Sequence, residues 1–165
     1  MQAILSQKVI PAITSTKHFE LILLPTEKCN FRCSYCYEDF AIGRMSRPII
    51  DGIKHLIEAR MPDLTTFKIE WFGGEPLSAR DIVYEISAWS KQLAVTHGVD
   101  FLGAMTTNGF LLNMNVLRRL VAYGVNQFQI SLDGPKDVHD TTRLRIDQSG
   151  SFEQIWQNLV DMHQS

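Results

Sequence analysis

The chain has 165 residues, of which 45% are hydrophobic and 21% are charged, and its formal net charge is −2. This balance is typical of one globular domain with a buried core. There is no basic block to suggest nucleic-acid binding, and no apolar run is long enough to span a membrane. We therefore expect neither nucleic acid nor a membrane as a partner.

The first residues, MQAILSQKVIPAIT, lack a basic start, and Lys8 and Pro11 break their apolar stretch. That pattern does not indicate a signal peptide. Without an export signal, three cysteines favour a reducing compartment, so we expect a cytoplasmic protein. Residues 1–19 are predicted to be a lead-in segment and residues 20–165 a single core domain.

The first part of this core predicts two strands and the helix between them. A short apolar run over 20–24 predicts a strand that leads directly into the cysteines. Residues 49–60 carry isoleucine and leucine at helical spacing, and Pro48 suits a first turn. Residues 66–72 alternate apolar and charged side chains, which predicts a second strand. Gly73-Gly74-Glu75-Pro76 follows it directly.

The middle of the chain continues this alternation. Ser78 is expected to be the N-cap of a second helix. The apolar stripe of that helix consists of Ile82, Ile86, Trp89 and Leu93. Residues 99–107 predict a third strand that ends at Asn108-Gly109, and 115–123 predict a third helix that Gly124 ends.

The last part of the chain predicts a fourth strand and a fourth helix. Residues 125–132 read as the strand, followed by Asp133-Gly134-Pro135. Ser151 and Gln154 form a capping-box pattern ahead of an apolar helical stripe. Four strands that alternate with four helices favour an α/β fold built from βαβ units around a parallel sheet.

Two predicted strands carry polar side chains on one face. Lys68 and Glu70 alternate with apolar residues in the second strand, and Gln127 and Gln129 do so in the fourth. Strands buried on both faces of a parallel sheet are usually apolar throughout. We hypothesise that the polar side faces a wet, ligand-holding cavity, and the alternative is a sheet with one solvated face.

Three cysteines, Cys29, Cys33 and Cys36, lie within eight residues and are the only ones in the sequence. A structural zinc site needs a fourth ligand, for which His18 and Glu38 are the candidates. A disulfide would leave one thiol over. An iron–sulfur cluster fits better, because closely spaced thiolates in a loop can reach one cluster. Three thiolates on four irons leave one iron open for another ligand.

The segment Cys29-Asn-Phe-Arg-Cys33-Ser-Tyr-Cys36, directly after the first strand, resembles the signature of the radical SAM superfamily. The resemblance implies a [4Fe–4S] cluster held by these cysteines, with S-adenosylmethionine on the open iron. It further implies reductive cleavage to a 5′-deoxyadenosyl radical that abstracts hydrogen from a substrate. The expected fold is a partial (β/α) barrel, of which this chain supplies about four of six units.

The resemblance also assigns residues around S-adenosylmethionine. Gly73, Gly74 and Glu75 match the family's GGEP segment, which meets the methionyl amino group. Tyr35 matches the aromatic position beside adenine. The remaining candidates follow the third and fourth strands, where ligands gather in parallel sheets. These are Asn108, Ser131 and Arg143, with Arg145 as the rival of Arg143.

The stretch SLDGPKDVHD, followed by Arg143, resembles the branch that modifies peptides and proteins, including anaerobic sulfatase-maturating enzymes and SPASM-domain maturases. This implies a precursor peptide or target protein as substrate and an external electron donor such as a flavodoxin or ferredoxin. The last two barrel strands and the SPASM cysteines are missing, so a truncated gene, a split enzyme completed by a partner, or self-association is expected. The alternative function is a non-catalytic iron–sulfur or electron-transfer module, or an inactive fragment.

Overall fold

The computed structural model describes residues 15–165, which form one parallel sheet with helices between its strands. The strands pair in the order β1-β2-β3-β4 and are β1 His18–Leu23, β2 Thr66–Trp71, β3 Asp100–Thr107 and β4 Val125–Ile130. The α-helices are α1 Arg47–Arg60, α2 Arg80–His97, α3 Met114–Ala122, α4 Lys136–Thr142 and α5 Phe152–His163. Short 3₁₀ helices cover Met61–Asp63 and Pro76–Ala79. The predicted α/β class and parallel sheet are confirmed.

The core lies between the apolar face of the sheet and the helices. Phe67, Ile69 and Trp71 of β2 are fully buried there, as the alternation of the sequence predicted. The indole of Trp71 donates a hydrogen bond to Ser87 Oγ in α2 at 3.0 Å, so its one polar atom is satisfied. The packing fixes β2, and therefore the segment after it, against the longest helix.

The opposite face of the sheet is polar. We call it the polar face and define it by Glu20, Lys68, Glu70, Thr106, Gln127 and Gln129. The Lys68 ammonium lies 2.7 Å from the Glu20 carboxylate and 3.1 Å from that of Glu70. Gln129 is exposed and Glu70 is half-buried. In the described residues this face lines a pocket of about 220 Å³ that is open to solvent, and the hypothesis that it holds a ligand stays a prediction.

Of the two predicted helix caps, Ser78 is wrong, and Ser151 is correct in position but not in its side-chain hydrogen bond. Ser78 lies inside the 3₁₀ helix begun by Pro76, and Ala79 takes the N-cap position of α2 without a side-chain cap. Ser151 does stand at the N-cap of α5, but its Oγ donates to the carbonyl of Arg143 at 2.7 Å. The backbone N–H of Ser151 is instead bound by Asp140 Oδ1 at 2.8 Å.

The element bounds differ slightly from those predicted. β1 starts two residues before residue 20, and β4 stops at Ile130 rather than at 132. The short helix α4 was not predicted, because Lys136–Thr142 carries no apolar stripe. Within residues 15–165, no helix combines the length and the apolar character needed to cross a membrane.

Candidate functional site

The three cysteines lie on a long loop, residues 24–46, that connects β1 to α1 at the carboxyl end of the sheet. We call it the cysteine loop. It is held by a segment near the other end of the chain: the N–H of Arg32 donates to Leu144 O at 2.7 Å, and that of Ser34 to Thr142 O at 2.9 Å. Phe31, a residue of this loop whose side chain is buried, forms an antiparallel bridge with Arg145.

A pocket of about 210 Å³, which we call the cysteine pocket, opens between this loop and the ends of β2, β3 and β4. Nine of the ten residues predicted for the site line it: Cys29, Cys33, Tyr35, Cys36, Gly73, Gly74, Asn108, Ser131 and Arg143. The sequence spreads these residues over more than a hundred positions, and the carboxyl ends of the parallel strands bring them together.

The tenth residue, Glu75, lies behind the wall of the pocket and is completely buried. Its carboxylate accepts hydrogen bonds from the Leu77 N–H at 3.0 Å, the Thr107 hydroxyl at 2.9 Å and the Asn108 N–H at 2.8 Å. Burial raises the pKa of Glu75, although these donors favour the ionised form. The side chain therefore ties the end of β2 to the end of β3.

Gly73 and Gly74 let the backbone of the Gly73-Gly74-Glu75 segment lie directly against the cysteine loop. The Gly74 N–H donates to Thr26 O at 3.3 Å, and the Glu75 N–H to Lys28 O at 3.1 Å. A Cβ atom on Gly74 would lie 2.1 Å from Glu27 O. Gly73 has a φ of +110°, which also favours glycine. Glycine is required here by the approach of two backbones.

The three thiols are all free and differ in exposure. Burial raises the pKa of Cys29 to about 11, and it also raises that of Cys33. A bound metal would displace these protons, because the thiolate is the ligand. The Phe31 N–H already donates to Cys29 Sγ at 3.3 Å.

Arg143 and its rival Arg145 point to different places. Arg143 lines the pocket with 8% of its surface exposed, and its Nη1 donates to the Tyr35 hydroxyl at 2.6 Å. Its Nε is buried without a partner among the described residues. Arg145 instead bonds Ser149 Oγ at 2.9 Å and pairs with Asp147 at 3.3 Å.

Asp133 completes a network that sequence reasoning missed. Its Oδ2 accepts from the Tyr35 hydroxyl at 2.7 Å and from the Thr142 hydroxyl at 2.9 Å. Burial acts to raise the pKa of Asp133, but these bonds and the nearby Arg143 outweigh it and lower the pKa. The sequence predicts only a turn at Asp133. Because Asp133 and Tyr35 are 98 positions apart, no local pattern indicates their contact.

His139, which is fully buried, supports this network from behind. Its Nδ1 accepts from the Asp133 N–H at 3.4 Å, and its Nε2 lies 3.0 Å from Ser151 Oγ. Because Ser151 Oγ donates to the Arg143 carbonyl, the Nε2–H form of the imidazole satisfies the whole chain of bonds. Burial lowers the pKa of His139.

The donor set fits a cluster better than a single ion. Among residues 15–165, no three His, Cys, Asp or Glu side chains converge on one metal position. Thiolates on a four-iron cluster bind different irons and need not converge in that way. Glu38 lines the pocket, whereas His18 starts β1 at the end of the sheet away from the loop, so His18 is wrong as a fourth zinc ligand.

Comparison with known proteins identifies the family. The model of the radical SAM superfamily matches residues 23–165. The chain belongs to this superfamily. Membership implies a [4Fe–4S] cluster and S-adenosylmethionine as cofactors, and the three free thiols in one pocket suit them.

Curated relatives in the superfamily carry two different names. A GTP 3′,8-cyclase of Haemophilus influenzae (strain PittEE) is 30% identical over 133 residues, which cover 78% of this chain and 37% of the relative. A cysteine-type anaerobic sulfatase-maturating enzyme of Clostridium novyi (strain NT) is 28% identical over 155 residues, covering 87% of this chain and 40% of the relative. The chain thus spans about two fifths of the length of these relatives.

Solved structures of radical SAM proteins share the fold. anSMEcpe, solved with bound AdoMet and the Kp18Cys peptide, superposes with a TM-score of 0.74 at 19% identity, covering 89% of this chain and 41% of anSMEcpe. BtrN, solved with AdoMet and 2-DOIA, gives a TM-score of 0.55 at 18% identity, covering 80% of this chain and 53% of BtrN. The expected partial barrel is confirmed at the level of the fold.

Replacing Gly74 with alanine should destabilise the protein by about 1–3 kcal/mol, because its Cβ would meet backbone oxygen atoms that cannot move freely. Gly52 in α1 is the matched control: a Cβ there meets nothing within 4 Å, and Gly52→Ala should be neutral or stabilising by up to about 1 kcal/mol. Urea unfolding followed by circular dichroism measures both. Equal effects of the two substitutions would contradict the close-approach argument.

The buried His139 should make stability depend on pH. Its pKa is depressed in the folded state, so the unfolded chain binds the proton first, and stability falls as the pH drops below about 6.5. His139→Asn should reduce the slope of unfolding free energy against pH between about 7 and 5. The exposed and non-titrating Gln92, changed to Asn, should leave the slope as in the wild type. An unchanged slope in His139→Asn would refute the assignment.

Proposed function

We propose that this chain is the cofactor-binding part of a radical SAM enzyme that modifies a peptide or protein substrate. The observation that supports this most strongly is the cysteine pocket. It gathers three free cysteines, a glycine pair and a buried arginine at the carboxyl ends of parallel strands. In this proposal Cys29, Cys33 and Cys36 hold the [4Fe–4S] cluster. When bound, the cluster and S-adenosylmethionine supply a 5′-deoxyadenosyl radical that takes a hydrogen atom from the substrate.

The other pocket residues are proposed to seat S-adenosylmethionine. The Gly73-Gly74-Glu75 backbone faces its amino group, and Tyr35 lies against adenine. Arg143 and Ser131 take the carboxylate or the ribose. The buried Nε of Arg143, which has no partner among the described residues, supports its part, because a desolvated guanidinium binds a carboxylate through charge-assisted hydrogen bonds. Arg145 is left out, since its guanidinium is engaged with Ser149 and Asp147.

Charge favours a peptide over a nucleoside triphosphate as the substrate. The polar face begins next to the cysteine pocket, which shares Thr106 with it. In the described chain its one cation is Lys68, and that ammonium is already paired with Glu20 and Glu70. A triphosphate needs several free cations, whereas peptide amides can use side chains such as Gln127 and Gln129. GTP is the second candidate, because cyclases named for it are among the relatives.

Further parts of the proposal concern the protein's surroundings. An external donor such as a flavodoxin or ferredoxin would provide the electron, and free thiols suit a cytoplasmic location. Residues 20–165 would act as the core, with 1–19 as a lead-in segment. In the described sheet β1 and β4 are the edge strands, so a partner or a second copy could extend it. The product is left open between a thioether, a carbon–carbon crosslink and formylglycine.

Anaerobic reconstitution with iron and sulfide tests the proposal. With S-adenosylmethionine and dithionite, the protein should form a [4Fe–4S] spectrum and release 5′-deoxyadenosine. Cys33→Ala should lose the cluster, whereas Ser34→Ala, an exposed neighbour, should keep it. A cluster that never yields 5′-deoxyadenosine would favour the electron-transfer alternative.

Mass spectrometry after incubation with a cysteine-containing peptide, and separately with GTP, distinguishes the two candidate substrates. GTP-dependent turnover would overturn the peptide proposal.

The two arginines provide a matched test of S-adenosylmethionine binding. Arg143→Gln should weaken binding about 10-fold or more, because a charged hydrogen bond contributes about 1.5–3 kcal/mol. Arg145→Gln should change affinity by less than about 2-fold, since that side chain faces its own loop. Calorimetric titration of the reconstituted protein measures both. The opposite ranking would show that Arg145 is the ligand.

A further inference from the structure

The amide of Asn108 is held in one orientation by its surroundings. The side chain is almost fully buried, and its Oδ1 accepts the Phe110 N–H at 3.0 Å. Its backbone N–H donates to the buried carboxylate of Glu75 at 2.8 Å. With oxygen and backbone both fixed, the NH₂ group of the side chain has to point toward the cysteine loop.

Each N–H of that NH₂ group has a target there. Asn108 Nδ2 lies 2.8 Å from Asn30 Oδ1 and 3.8 Å from Cys29 Sγ. The second distance is longer than that of a hydrogen bond to oxygen, because sulfur is a larger and weaker acceptor. Together with the Phe31 N–H at 3.3 Å, two N–H donors therefore face the Cys29 sulfur.

This arrangement makes Cys29 different from the other two cysteines. Within residues 15–165, no side-chain N–H donates to the sulfur of Cys33 or Cys36, whereas Asn108 donates to that of Cys29. Donors aimed at a ligand sulfur stabilise negative charge on it, and the reduced cluster carries one more negative charge than the oxidised cluster. Hydrogen bonds to the sulfurs are one of the protein's means of setting a cluster's potential.

We propose that Asn108 is a positioning residue that raises the reduction potential of the cluster through its hydrogen bond to Cys29. The inference rests on the proposed function, because it takes Cys29 as a cluster ligand. Asn30 assists by accepting the other N–H of Asn108, which keeps the donor directed at the sulfur. Asn108 thus acts on the ease of reduction of the cluster, a role distinct from the contact with S-adenosylmethionine that its motif predicts.

Two substitutions test this role. Asn108→Ala removes the donor. Asn108→Asp keeps an oxygen for the Phe110 N–H but replaces the NH₂ group with an acceptor. Asn30 can accommodate that change, because its own Nδ2 is buried without a partner and can donate to the new carboxylate once its amide rotates. A redox titration of the reconstituted protein, followed by electron paramagnetic resonance, should give a lower potential for both variants, and the lowest for Asn108→Asp.

Asn115, exposed in α3, supplies the controls: Asn115→Ala and Asn115→Asp should keep the wild-type potential. An unchanged or higher potential in an Asn108 variant with full iron content overturns the inference. Loss of iron from both Asn108 variants, with the Asn115 variants intact, assigns Asn108 a structural role and also overturns it. Failure of the wild-type protein to form a cluster is a different result, since it removes the proposed function itself.

Discussion

The buried carboxylate of Glu75 is the constraint on which the site depends. A carboxyl group without water is unfavourable by several kcal/mol unless hydrogen bonds compensate it, so its donors cannot move away independently. Those donors are Leu77 in the 3₁₀ helix that follows β2, Thr107 at the end of β3 and Asn108 directly after it. The backbone of Glu75 itself bonds Lys28 in the cysteine loop. One residue, through its side chain and its backbone, thus sets the relative positions of the glycine segment, β3 and the start of the cysteine loop.

A second network fixes the other side of the pocket. Asp133, Tyr35 and Arg143 connect the end of β4 with the cysteine loop through short polar contacts. The negative charge of Asp133 offsets the positive charge of Arg143, while the Nε–H of Arg143 is buried without a partner among the described residues. The pocket therefore presents two different kinds of group: the thiols of the three cysteines on one wall, and the Arg143 guanidinium, which has one N–H without a partner, on another. This division suits a ligand set with one sulfur-bound and one carboxylate-bearing component.

Much of the architecture follows from periodicity in the sequence, and the errors have local physical causes. The alternation of Phe67, Ile69 and Trp71 with charged residues gives β2 and its buried face directly. Ser78 is not a cap because Pro76 starts a 3₁₀ helix that includes it. Ser151 does lie at the N-cap of α5, but its hydroxyl donates to the Arg143 carbonyl, a contact that no local rule predicts. Among the site residues, position could be predicted but contacts could not. Glu75 turns away from the pocket, and the bonds of Asp133 and Asn30 cross long stretches of chain.

The pairing of the cysteine loop with residues 142–146 has a consequence for the order of assembly. The hydrogen bonds of Arg32, Ser34 and Asn30 in this pairing all go to that later segment. During synthesis the cysteines leave the ribosome more than a hundred residues before it. The cysteine loop can therefore form these hydrogen bonds only after the fourth strand and the segment that follows it have been synthesised. Before that point residues 142–146 are not available to hold the cysteine loop, so the arrangement of the three thiols is completed late in synthesis.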